Sequence, residues 1–272
     1  MRDFHLHSNY SDGEFLEAMV EAAEVAGLEG IGFADHCNVA PREHTVTMRS
    51  RYGFNLDLTY ERRRRAIEGL CEEASIEIYD AVEMDYDPQD EAAIRDFLET
   101  AAFDYTIGSV HTVDGRNVQV PSNFRGRNDA DLNGVVAAYF DRLVELVESE
   151  LFDVAGHVDL IARTPPLRGR ATDEQYRRVA RAFADSRTVP EINAGRALTD
   201  AGIVHPNESF LGLRAFDVPV TVGTDAHRPA EVTDRAEFLR EFLDECGIDP
   251  VGPPGLERET VSWFSMKTNI DT

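Results

Sequence analysis

Short apolar runs alternate along this chain with longer stretches whose apolar residues recur every three or four positions. The first run, Phe4-His5-Leu6, reads as the end of a strand. Residues 14–26 read as a helix with Phe15, Met19, Val20 and Ala23 on one face, Asp12 placed to cap its start and Gly27 to end it. Further strands are predicted at 30–34, 76–82, 105–110, 152–156, 189–192 and 218–222, and further helices at 59–74, 91–100, 132–148, 173–184 and 235–246. Residues 38–58, 112–127 and 193–207 show no clear period and are expected as loops, and residues 250–254 lead into a short tail. Seven strand–helix alternations predict an α/β fold with a parallel sheet, most simply closed into a barrel. No repeat, linker or low-complexity stretch divides the 272 residues, so residues 1–272 are expected to form one domain.

The ends of these runs carry the chemistry. They read His5-Leu6-His7, Asp35-His36, Glu83, His111, His157 and Asp225-Ala226-His227, and they account for six of the eight histidines. In a parallel barrel all such ends meet on the C-terminal rim. The His-x-His spacing puts both imidazoles on one side of a strand, and Asp12 follows close behind His7. One such histidine alone reads as a buried ring with an ordinary hydrogen bond. Six at equivalent places read as a metal site. The candidate ligands are His5, His7, Asp12, His36, Glu83, His111, His157, Asp225 and His227. Nine exceed the needs of one ion, and a carboxylate such as Glu83 can bridge two. Nitrogen and oxygen donors without thiolate suit zinc, manganese or iron.

Charge narrows the partners. Fifty-one acidic residues against 27 basic ones give a net charge of −24, and Lys267 is the one lysine. Nucleic acid is a poor partner for want of a basic footprint, and no nucleic-acid scaffold binding is expected. The acidic excess reads as a halophile-like surface that stays hydrated in concentrated salt, the alternative being an acidic interaction surface. The four arginines at 62–65 point all round a helix and read as a solvated face. No apolar run of membrane-spanning length occurs, and the N-terminus lacks the apolar segment of a secretory signal. Cys37, Cys71 and Cys246 form no CxxC pair, which fits a reducing, cytoplasmic setting, with Cys37 expected in a loop. Composition leaves the oligomeric state open.

The set His5-x-His7, Asp12, Asp35-His36, Glu83, Ser109-Val110-His111, Gly156-His157 and Asp225-Ala226-His227 resembles the PHP (polymerase and histidinol phosphatase) superfamily over nearly the whole chain. Val82-Glu83-Met84-Asp85-Tyr86, Asp104 to His111, Gly156-His157-Val158-Asp159-Leu160-Ile161, Glu191-Ile192-Asn193 and Thr224-Asp225-Ala226-His227-Arg228-Pro229 resemble its monofunctional histidinol-phosphate phosphatase branch. The resemblance implies a distorted (β/α)7, TIM-like barrel with three divalent ions on its C-terminal rim. His5, His7, Glu83 and Asp225 would hold the first, Glu83, His111 and His157 the second, and Asp12, His36 and His227 the third. It further implies a phosphomonoesterase that converts L-histidinol phosphate to L-histidinol and phosphate in histidine biosynthesis, by in-line attack of a metal-bridging hydroxide. Glu83, Asp225, His227, Arg163 and Arg196 are then the catalytic candidates. Arg163 follows His157 and Arg196 follows Asn193, so both guanidinium groups are candidates to clamp phosphate, with Arg228 a third. Ala81 stands where the branch is expected to have glycine, and the loop after Arg196 departs from the pattern. Two rival readings stand beside this one. One is a phosphoesterase of the same superfamily acting on nucleotides or another small phosphate ester. The other is a non-catalytic metal-binding module, against which the complete ligand set argues.

Overall fold

The computed structural model describes residues 1–53, 55–200, 202–206 and 217–257. Its strands are β1 (Arg2–Leu6), β2 (Gly30–Cys37), β3 (Glu77–Asp85), β4 (Tyr105–Ser109), β5 (Thr112–Val113), β6 (Arg116–Asn117), β7 (Val154–Ala155), β8 (Val189–Arg196), β9 (Ile203–His205) and β10 (Thr221–Gly223). The helices are α1 (Leu16–Val25), α2 (Glu43–Tyr52), α3 (Tyr60–Cys71), α4 (Glu91–Ala101), α5 (Asp129–Glu148), α6 (Asp173–Ala184) and α7 (Pro229–Cys246). The main sheet runs β1-β2-β3-β4-β7-β8-β10, and every neighbouring pair in it is parallel. Beyond β10 the chain returns to β1: the Asp225 amide donates to His5 O at 2.8 Å and the His7 amide to Ala226 O at 2.9 Å. The result is a distorted TIM-like α/β barrel: the alternation predicts the parallel sheet, and the family resemblance implies its distorted closure. No described helix is long and apolar enough to cross a membrane.

Burial explains the layers. Phe4, Ala34, Ala81, Tyr105, Ile107, Val154 and Val189 pack together from six strands. Leu6, Ile31 and Phe33 pack on Leu16, Met19, Val20 and Ala23 of α1. Parallel strands covered on both faces must be apolar nearly throughout, so each charged residue inside them needs a partner. Asp3 shows this. It is fully buried, and it accepts from the amide of His5 at 3.1 Å and from the amide and hydroxyl of Thr224 at 3.0 and 2.5 Å. Burial lifts its carboxyl to about 6, and those hydrogen bonds resist the rise.

Several expectations are corrected. Phe15 is 67% exposed and Leu16 takes its place on the buried face of α1, while Asp12 makes no helix cap. Residues 38–58 contain α2, residues 112–127 the hairpin β5–β6, and the loop after Asn193 continues β8 and turns back as β9. The last helix begins at Pro229, which suits a first helical turn, rather than at 235. Cys37 is buried at the end of β2, not in a loop. Arg63 is not solvated. It is fully buried and bonds Asp35 Oδ2 at 2.8 Å and Asp80 Oδ1 at 2.7 Å. The tail containing Lys267 lies outside the described residues.

Candidate metal centre

Glu83, near the end of β3 and 1% exposed, is the hub of the rim. Its Oε2 lies 2.7 Å from His36 Nδ1, 3.6 Å from His5 Nε2 and 3.7 Å from His7 Nε2. Its Oε1 lies 2.9 Å from His157 Nε2 and 3.4 Å from His111 Nε2, and it accepts from Ser109 Oγ at 2.7 Å. Parallel register makes this possible: His36 of β2 pairs directly with Glu83 of β3. His7 Nε2 lies 3.3 Å from Asp225 Oδ1. Asp12 Oδ1 lies 3.3 Å from His227 Nε2 and 3.7 Å from His36 Nε2. All nine expected ligands therefore form one continuous cluster. Within it, ligand atoms fall within 4.8 Å of one another in three groups: His5 with His7 and Asp225, His36 with Glu83 and His111, and His7 with Asp12, His36 and His227.

The donor set fits cations. His5 Nε2 and His7 Nε2 are buried and make no hydrogen bond. Two orphaned nitrogens aimed at carboxylates are costly alone and are satisfied together by a metal ion. Burial would raise the Glu83 carboxyl, but His36, His111 and His5 hold it well below the usual range. Burial and the facing rings of His227 and His36 lower His7 to about 4, so it is neutral and able to ligate. Burial opposes protonation of His111 and His227 too. Glu83 and Asp85 nevertheless raise His111 to about 10, and Asp12 and Asp225 raise His227 to about 9. Protons and cations thus compete for the same nitrogens. His157 (φ 27°) and Asp225 (φ 54°) both hold left-handed backbone, strain that collects at functional positions. A side chain at Gly223 would overlap Glu191 and His5, and one at Gly195 would overlap the Asp225 carboxylate.

Buried groups behind the ligands aim them, and no role is predicted for these from the sequence. Glu191 Oε1 lies 2.7 Å from His5 Nδ1, and its Oε2 accepts from the His157 amide at 2.9 Å and Asn193 Nδ2 at 3.1 Å. Asp85 accepts from His111 Nδ1 and, at 2.8 Å, from Asn38 Nδ2. Asp35 points away from the rim centre. It accepts from the amide and hydroxyl of Ser8 and the hydroxyl of Ser11, each at 2.6 Å, and so secures the turn between His7 and Asp12. A charged residue inside an apolar strand, as in Val189-Pro190-Glu191-Ile192, is the local sign of such a role.

Of the three arginines, the structure brings one to the cluster. Arg163 lies in the turn after His157, and its Nη2 donates to Asp225 Oδ2 at 3.1 Å and Asn193 Oδ1 at 3.2 Å. Arg196, at the end of β8, and Arg228, before α7, are exposed. Neither makes a hydrogen bond or ion pair to the cluster among the described residues.

A parallel barrel with an imidazole–carboxylate centre on its rim defines a class, and comparison supplies its name. The PHP domain model matches residues 3–195, and the chain belongs to that family. It is 26% identical over 267 residues to a Deinococcus radiodurans protein described as a probable histidinol-phosphatase, covering 90% of this chain and 94% of that one. It is 27% identical over 242 residues to the histidinol-phosphatase of Lactococcus lactis, covering 83% of each. Among solved structures, the histidinol phosphate phosphatase of Lactococcus lactis, complexed with zinc, L-histidinol and phosphate, superposes with a TM-score of 0.74 at 21% identity, covering 92% of this chain and 95% of that one.

Proposed function

We propose that this protein is a metal-dependent phosphoric monoester hydrolase that converts L-histidinol phosphate to L-histidinol and inorganic phosphate. The carrying observation is the buried centre itself: Glu83 amid five imidazoles, with Asp225 and Arg163 alongside. The substrate follows the two curated relatives, which share this name over more than four fifths of both chains. His5, His7, Glu83 and Asp225 would hold one divalent ion, Glu83, His111 and His157 a second, and Asp12, His36 and His227 a third, drawn from zinc, manganese and iron. When bound, such ions activate a water nucleophile and neutralise the phosphoryl oxygens.

The protein's own groups do the rest. Glu83 and Asp225 remain ionised and set the spacing between ligands. Arg163, anchored on Asp225, offers the phosphoryl group a guanidinium donor. Arg196 and Arg228 stand at the exposed edge, where an incoming phosphate ester meets them. The acidic, lysine-poor composition belongs to a protein working in concentrated salt.

The test is a panel of phosphomonoesters turned over by protein of defined metal content. L-Histidinol phosphate should be preferred over nucleoside mono- and bisphosphates by roughly tenfold or more in kcat/KM. A nucleotide preferred by that margin would move the assignment to a nucleotide phosphoesterase of the same family.

A further inference from the structure

One of the two histidines outside the metal cluster is His205 on β9, which is fully buried. Its Nδ1 lies 2.5 Å from Asp159 Oδ1, and its Nε2 lies 2.8 Å from Arg163 Nε. A guanidinium N–H can only donate, so His205 Nε2 is the acceptor. The ring is therefore the neutral tautomer with its proton on Nδ1, donated to Asp159, which is itself 1% exposed. Asp159 and Arg163 bracket one short turn (Leu160–Arg163), while His205 arrives on the strand that pairs with Asn193.

Arg163 is thereby held on every side. Nε donates to His205, Nη1 to Gln119 Oε1 at 3.3 Å, and Nη2 to Asn193 and Asp225. These contacts occupy four of the five guanidinium protons. One Nη1 proton is left over among the described residues, on the guanidinium whose Nη2 is anchored to the Asp225 carboxylate of the metal centre. We propose that His205 and Asp159 are positioning residues for Arg163, fixing the guanidinium plane so that this remaining N–H meets the phosphoryl group. The proposal rests on Arg163 contacting phosphate. A His–Asp pair that merely packed β9 against the turn would have no energetic coupling to Arg163.

A double-mutant cycle on the metal-loaded protein separates the two. The variants are His205→Leu, which removes the acceptor, His205→Gln, which restores an oxygen near the place of Nε2, and Asp159→Asn. The last keeps shape but lets the ring adopt the other tautomer, turning an N–H against Arg163. Each is combined with Arg163→Ala. The readouts are inorganic phosphate affinity by calorimetry, kcat/KM on L-histidinol phosphate, and bound metal. His205→Leu and Asp159→Asn should weaken phosphate binding and kcat/KM by about tenfold or more. His205→Gln should recover most of that loss. Metal content should hold, and no further loss should appear once Arg163 is alanine. Losses that persist in full on the Arg163→Ala background overturn the proposal, as does a His205→Leu variant with normal phosphate affinity. If His205→Leu fails to fold, His205→Gln and Asp159→Asn complete the cycle: Asp159→Asn must then show the loss and the coupling, and their absence overturns the proposal. A wild type that binds phosphate but spares L-histidinol phosphate refutes the substrate assignment alone, and the phosphate cycle still decides the role of His205. A wild type that binds no phosphate overturns the positioning role.

Discussion

Replacing Glu191 by glutamine tests whether the carboxylate behind His5 governs the metal centre. Glu191 is 1% exposed and serves three donors: His5 Nδ1 at 2.7 Å, the His157 amide at 2.9 Å and Asn193 Nδ2 at 3.1 Å. A carboxylate accepts all three, whereas glutamine has one oxygen. If that oxygen stays on His5, the amide NH2 faces two donors. If it flips, His5 loses its acceptor. Either arrangement strands at least one buried donor, at about 1–3 kcal/mol. The imidazole of His5 also loses the negative charge that supports it. Outer partners of metal-bound histidines are worth about 10- to 100-fold in metal affinity, or roughly 1.4–2.8 kcal/mol. Glu191→Gln should therefore bind zinc that much more weakly in a chelator-competition titration, and should melt at lower temperature even without metal. The near-equal volume of the two side chains leaves the barrel folded, as circular dichroism should show. An affinity within about threefold of wild type, with an unchanged melting curve, would refute this account of how His5 is held.

Four further outcomes are expected. Glu83→Ala should lose several orders of magnitude in turnover and much of its bound metal while staying folded, since one side chain serves five imidazoles; normal stoichiometry by elemental analysis would remove it from the centre. Arg163→Ala should keep its metal and lose about 2–4 kcal/mol of transition-state stabilisation, roughly 30- to 1000-fold in kcat/KM. Arg196→Ala is expected to act in the same direction, and steady-state kinetics showing a change below about threefold at both would assign the phosphate to other groups. Arg63→Ala leaves the buried carboxylates of Asp35 and Asp80 without their cation, so denaturant unfolding should show a loss of about 3–5 kcal/mol; a loss below about 1 kcal/mol, as at an exposed pair, would contradict its burial. With a net charge of −24, thermal stability at fixed metal should climb from dilute buffer into molar potassium chloride, as the Debye length falls from about 30 Å near 0.01 M to about 3 Å near 1 M. A flat or falling melting temperature would favour an acidic partner surface instead.

The alternation of apolar runs was legible because a strand covered on both faces must be apolar, and its period is local. The places where that reading slipped share a cause. Residues 43–52 have weak amphipathic character, so α2 was invisible to periodicity. Phe15 and Leu16 compete for the same inward position, and only packing against Met19, Val20 and Ala23 selects Leu16. Asp12 suits a helix cap by residue type, but the imidazoles of His36 and His227, which face it across the rim, claim it.

Taken alone, the chain determined the alternation of its main strands and helices, its parallel sheet and the polar groups that follow the strand ends, because each rests on residue type and short spacing. Tertiary structure alone decided the partners. Glu191 lies 186 residues from the His5 it supports, and Arg63 lies 28 and 17 residues from Asp35 and Asp80. His205 lies 42 residues beyond the arginine it steadies. Whether a charged residue is solvated or buried depends on its counter-charge, and no local pattern records which distant segment the fold brings alongside.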